Sequence, residues 1–132
     1  MNPLTRRLIT GTVGELLVQL RLLQYDVQAA PALKDSGNDL IAVRGNTLKA
    51  VQVKTSAMNG KLKIPTDRLY HILAFVRLHE ENNELHLDSS EIYLIEREAI
   101  DRNGFDRDHL DDYRISQELV DRLFPPPREE TA

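Results

Sequence analysis

Cysteine is absent from this chain of 132 residues, which removes disulfides and thiolate-bound structural zinc from consideration. Also missing is any apolar run near the roughly 20 residues that span a bilayer. The longest, such as Ile72 to Val76, suit a folded core, and Met1 to Thr10 carries no apolar signal-peptide segment. A soluble, cytoplasmic protein is expected, with neither a membrane nor a nucleotide cofactor as partner. No P-loop and no evident Ser/His/Asp constellation is present, and His71, His79, His86 and His109 lack a metal-ligand spacing. Lysine is missing from the second half of the chain, where none follows Lys63.

The composition, 41% hydrophobic and 29% charged, is enough for one compact core without disulfides. One domain over residues 1–124 is expected. Pro125, Pro126 and Pro127 then open a Pro-rich tail, 125–132, that is expected to be disordered. The net charge of −4 conceals a division. Residues 1–70 hold ten Lys and Arg against five acids, leaving +5, whereas from His71 onward seven Arg face sixteen Asp and Glu, leaving −9. The basic half is the place to look for a phosphate partner. The acidic half is either a solvated surface or a partner-binding one.

Periodicity predicts a helix over about Thr5 to Gln24. Leu4, Leu8, Gly11, Glu15, Val18 and Leu22 fall on one stripe, and Val13, Leu16, Leu17, Leu20 and Leu23 on a second. A helix apolar on two sides is expected to pack over most of its circumference. Asp26 to Ala30 reads as a short strand and Pro31 to Asn38 as a turn-rich loop. Asp39 to Arg44 and Thr47 to Thr55 read as a hairpin closed by Gly45-Asn46. Ser56 to Thr66 reads as a basic loop or the entry to a short helix, Leu69 to Leu78 and Glu91 to Glu96 as further strands, and Arg107 to Phe124 as a helix ended by the prolines. The whole is an α/β or α+β domain with one mixed sheet.

A two-residue turn at Gly45-Asn46 sets Arg44 opposite Thr47, and the same register sets Asp39 opposite Gln52, with Lys54 two residues further on that face. Ile41, Val43, Leu48 and Ala50 complete the face, so its open end carries a carboxylate, an amide and an ammonium on an apolar surface. Burying these unpaired would cost several kcal/mol, roughly 2–7 for each neutral polar group alone. Glu15 is a second anomaly, an acid in an apolar stripe, with Gly11 one turn earlier leaving space beside it. If that stripe packs on the hairpin face, Glu15 approaches Asp39 and Lys54. Two carboxylates, an amide oxygen and a cation then form a magnesium site, because Mg²⁺ takes hard oxygen ligands and leaves room for substrate phosphate. Plainer readings stand beside this one. Glu15 alone fits a surface acid, the Asp39, Gln52 and Lys54 trio fits a buried ion pair with an amide partner, and Gly11 and Gly14 fit close helix packing.

The segments G-T-V-G-E (Gly11 to Glu15), S-G-N-D-L-I (Ser36 to Ile41) and V-Q-V-K-T-S (Val51 to Ser56) resemble the PD-(D/E)XK nuclease superfamily, and are similar to archaeal Holliday junction resolvases and methyl-directed restriction endonucleases. The resemblance covers about Leu8 to Ile95. It implies a restriction-endonuclease-like core, a central mixed sheet of about five strands flanked by helices in the order αβββ(α)ββα. It further implies a metal-dependent DNA endonuclease, with Asp39 as the principal metal-binding carboxylate, Glu15 as the helix-borne acid, Gln52 as a metal-site residue and Lys54 as the catalytic lysine. Mg²⁺ is the implied cofactor, with Mn²⁺ as a substitute. Gln52 departs from the Asp or Glu of most members, although glutamine occurs in some restriction and intron-homing branches. It removes one negative charge and lowers the expected metal affinity. Arg6, Arg7, Ser36, Thr55, Lys61 and Lys63 are the candidate DNA contacts, and a homodimer is expected for cutting both strands. Two other classes remain open: a nuclease-fold module that binds DNA without cutting, and a protein-interaction domain that works through the acidic C-terminal half.

Overall fold

The computed structural model describes residues 6–32, 39–103 and 107–128, without the side chains of Arg7, Asn103 and Arg107. Helix α1 (Arg6–Gln24) is followed by strands β1 (Gln28–Pro31), β2 (Leu40–Arg44), β3 (Thr47–Ala57) and β4 (Ile72–Leu78). The small pair β5 (Glu80–Glu81) and β6 (Glu84–Leu85) precedes β7 (Glu91–Glu96), α2 (Arg97–Asn103), a 3₁₀ segment at Arg107–Tyr113 and α3 (Gln117–Leu123). Five strands form one mixed sheet in the order β1-β2-β3-β4-β7, with β3 and β4 parallel and the other pairs antiparallel. Among the described residues no helix is long and apolar enough to cross a membrane.

The hairpin register is the expected one, running from Arg44↔Thr47 to Leu40↔Val51. Gly45 takes φ +57° at the tip while Asn46 does not, the pattern of a type II′ turn with glycine first. Pro127 lies against this glycine, 3.3 Å from where a side chain would begin. β4 is buried on both faces at Ile72–Val76, as a central strand with a parallel neighbour requires. One face joins Leu40, Ala42, Val51, Val53, Ala74 and Leu94 to Leu17, Val18 and Leu22 of α1 and to Leu119, Val120 and Leu123 of α3. The other joins Leu73, Phe75, Tyr93 and Ile95 to Leu62, Tyr70, Ile100 and Leu110. The result is three layers with the sheet in the middle.

Four expectations need correction. α1 packs on the sheet face opposite the one that carries Asp39, Gln52 and Lys54, through Gly14, Leu17, Val18 and Leu22. It does not bury both apolar stripes: Leu8, Leu16, Leu20 and Leu23 are each more than half exposed. The connector between β3 and β4 contains no helix. It is an extended crossover laid on the second core by Leu62 and Tyr70, and tied down by Arg97, which donates to the carbonyls of Arg68 (2.7 Å) and Thr66 (3.1 Å) and sits 4.6 Å from the Tyr70 ring centroid. The single C-terminal helix is instead two pieces, because Arg114 bridges to Tyr93 and the Ile115 N–H donates to Ile92 O (2.9 Å). That contact covers the outer side of β7 and leaves β1, four residues ending in Pro31, as the open edge. The order αβββ(α)ββα therefore loses its bracketed helix and gains α2 and the β5–β6 hairpin, whose turn places Asn82 and Asn83 at φ 54° and 64°, a type I′ geometry that asparagine tolerates.

Gly14 lets α1 lie directly on β3. A Cβ there would stand 1.9 Å from Thr55 Oγ1 and 2.9 Å from Thr55 Cβ. The Gly14→Ala substitution gains about 1 kcal/mol of helix propensity but overpacks a contact that cannot relax by side-chain rotation alone, typically costing about 1–3 kcal/mol. We expect it to lower stability in chemical denaturation. Thr55→Ala in the same chain should restore part of the loss, since Oγ1 and Cγ2 go and the Cβ contact stays. Additive effects of the two substitutions would contradict this packing.

Candidate functional site

The site is built where β2 and β3 part company. β2 begins at Leu40, paired with Val51, whereas β3 continues to Ala57. Beyond that pair the Val53 N–H has no β2 carbonyl in the ladder, and it donates to Asp39 Oδ2 at 2.8 Å. Gln52 Nε2 donates to the same oxygen at 2.9 Å. The Asp39 backbone is held as well, its carbonyl accepting from Ala32 N at 3.1 Å. These bonds leave Asp39 Oδ1 without a partner among the described residues and fix the Gln52 amide, because its carbonyl end would be repelled by the carboxylate. Gln52 is only 2% exposed, and its Oε1 is buried with no hydrogen-bond partner. A buried acceptor left so costs about 1–3 kcal/mol and calls for a water or an ion.

On the α1 side, a hollow of about 370 Å³ is lined by Arg6, Thr10, Gly11, Glu15, Val53, Lys54 and Thr55. Gly11 opens it, since a Cβ there would meet nothing within 4 Å. Glu15 and Lys54 thus share one cavity although the helix packs on the other sheet face; they meet at the open edge of β3, where the ladder with β2 has ended. Burial raises the Glu15 pKa, and the Asp39 charge raises it further. The Lys54 ammonium makes no ion pair or hydrogen bond with any described residue. Glu15, Asp39 Oδ1 and Gln52 Oε1 are hard oxygen donors of the kind that suits a divalent cation. No group of three or more His, Asp and Glu that could hold a metal ion assembles among the described residues. A larger groove of about 590 Å³, between Leu20 and Leu23 of α1 and Ile41 and Val43 of β2, has no titratable lining residue and offers no acid–base chemistry.

The other candidate contacts fare differently. Lys61 and Lys63 are exposed on the crossover, whereas Arg6 is paired with Glu80. Thr55 is the packing partner of Gly14 as well as a wall of the hollow. Ser36 and the Arg7 side chain lie outside the described residues. Arg44, one of the ten cations of the basic half, is internal: it is 8% exposed and donates to Asp121 Oδ1 (2.6 Å) and Phe124 O (3.0 Å). Its guanidinium, and next the Gln117 amide, hold the Asp121 carboxyl below the usual aspartate range. Sequence reasoning missed Thr10, and it missed Arg77, whose signal was a lone cation in the apolar run of β4.

The raised pKa of Glu15 has a defined sign. A carboxyl whose pKa rises on folding favours the fold below its unfolded value, near 4.3, and loses that contribution as pH climbs through the folded value. Glu15→Gln is therefore expected to raise the metal-free Tm at pH 7 by roughly 1–3 °C, with the gain vanishing at pH 4 and below. A pH-independent difference in thermal melts would contradict the assignment of Glu15 to this desolvated, acid-facing position.

No protein-family model matches the chain, and no curated protein matches it in sequence. Among solved structures, that of the bacterial homing endonuclease I-Ssp6803I superposes with a TM-score of 0.56 over 88% of this chain and 93% of that one, at 13% identity. The two chains share a fold: the mixed α/β sheet described above, flanked by helices.

Proposed function

We propose that this chain is a Mg²⁺-dependent DNA endonuclease of the PD-(D/E)XK type, with Mn²⁺ able to take the place of Mg²⁺. The observation that carries the reading is the buried, unpartnered Gln52 Oε1 locked beside an Asp39 carboxylate with one oxygen free. A hard divalent cation fits this donor set, Glu15 adding the second carboxylate. When bound, magnesium supplies Lewis-acid activation of the hydrolytic water and neutralises phosphate charge. The chain's own residues do the rest. Asp39 and Gln52 hold fixed donor positions. Glu15 brings the second carboxylate from α1, in the hollow it shares with Lys54. Lys54, free of acidic partners, faces the phosphodiester oxygens on which negative charge grows in the transition state. The shared fold with a homing endonuclease supports DNA as the substrate class, and a homodimer would supply the two copies of the site that a small nuclease usually uses to cut both strands of a duplex.

A non-cleaving DNA-binding module is the second reading, favoured by the charge that Gln52 removes from the site. The interaction-domain reading is weakened by internal pairing in the acidic half, where Glu91, Glu98, Asp101 and Asp121 each engage an arginine. The test is incubation of purified protein with Mg²⁺ or Mn²⁺ and plasmid, single-stranded or four-way-junction DNA. Cleavage is expected, falling about 10²–10³-fold in Lys54→Ala and at least as far in Asp39→Ala, while Gln52→Glu lowers the Mg²⁺ concentration needed. Activity that survives in both alanine variants overturns the site. DNA retention without cleavage selects the module, and no DNA binding at low salt selects the interaction domain. Linear plasmid formed without a nicked intermediate reports paired sites.

A further inference from the structure

Arg77 lies on the sheet face that carries Gln52 and Lys54, the register pairing Lys54 with Phe75 and Ser56 with Arg77. Its guanidinium carbon stands 5.5 Å from the Phe75 ring centroid and 5.6 Å from that of Tyr93, two rings that themselves sit 6.1 Å apart. The cation therefore rests over the residue directly beside Lys54. Its Nε is buried without a hydrogen bond, and no ion pair or hydrogen bond joins the guanidinium to any described residue. The acid opposite it in β7, Glu91, is taken by Arg114 at 3.3 Å. Arg44, Arg97 and Arg114, by contrast, each hold a carboxylate. A partly buried guanidinium on an aromatic platform is rigid and desolvated, with planar donors that match phosphate oxygens in pairs. The crossover adds charge nearby: it starts over Ser56, where a Cβ on Gly60 would stand 2.7 Å from Ser56 Oγ, and it carries exposed Lys61 and Lys63.

We infer that Arg77, with Lys61 and Lys63, forms a second phosphodiester-binding site, seating the backbone phosphate next to the one that Lys54 faces. This rests on the nuclease reading and extends the substrate track from the α1 side of β3 across to the crossover side. Arg77 touches no reacting atom in this scheme, so it is a positioning residue that acts on binding and on the alignment of the cleaved bond.

The test measures duplex DNA affinity by fluorescence anisotropy without divalent metal at several salt concentrations, together with cleavage in Mg²⁺. Arg77→Gln should weaken binding roughly tenfold and lower the slope of log K against log salt by about one. Arg77→Lys should keep the slope while losing part of the affinity, because charge remains and the paired donors do not. If Arg77→Gln fails to fold, the exposed pair Lys61→Gln/Lys63→Gln supplies the readout, with a slope lower by about two and an unchanged Tm. Wild-type protein that binds and cuts DNA, with slopes unaltered in these variants, overturns the second site and leaves the nuclease reading intact. Wild-type protein that binds no DNA at low salt removes both.

Discussion

One carboxylate oxygen organises this molecule. Where the ladder between β2 and β3 stops, the Val53 N–H would be left without an acceptor, and Asp39 Oδ2 takes it together with the Gln52 amide. Hydrogen bonds to an ionised acceptor are roughly twice as strong as neutral ones, and here they satisfy a backbone donor that the sheet cannot. The same two bonds leave the Gln52 carbonyl without a donor among the described residues. Closure of the hairpin's open end and the freeing of a buried amide oxygen from hydrogen bonding are thus a single event.

Charge is distributed by the same logic. The net charge of −4 describes the whole surface poorly, because three arginines of the second half are occupied with neighbouring acids. Arg97 bonds Asp101 and straps the crossover, Arg114 bonds Glu91 beside β7, and Arg102 pairs with Glu98 within α2. Lys54 and Arg77 have no such partners. Two unpaired cations on adjacent strands, one beside a pair of carboxylates and one over aromatic rings, make a local field that the sequence total hides.

What could be read from the sequence followed from short-range chemistry. Gly45-Asn46 set the hairpin register, and through it the Asp39–Gln52 contact, because a two-residue turn permits one pairing. Close approach at Gly14 and open space at Gly11 were both foreseen as helix packing and room beside Glu15. The face of the sheet that α1 would cover was not legible. Two leucine-rich stripes compete for the core, and periodicity alone does not say what the sheet accepts; here the packed face runs between them, taking Leu17 from one and Val18 and Leu22 from the other, with Gly14 permitting contact with Thr55. The absent connector helix and the divided C-terminal helix have a different cause. Both segments are shaped by distant partners, Arg97 for the one and the edge of β7 for the other, and local propensity carries no record of them. Arg44 and Arg77 show the same limit, since identical side chains in β2 and β4, the strands on either side of β3, end as an internal ion pair and as an unpaired cation.

The treatment of the sheet's two margins has its own consequence. β7 is covered by the Arg114–Ile115 contact, and β1 offers four residues closed by Pro31, which has no N–H to donate. Neighbouring molecules therefore find no long template for strand addition among the described residues. Folding to a single closed unit is preserved by a proline and two backbone contacts, with no helix needed to shield either side.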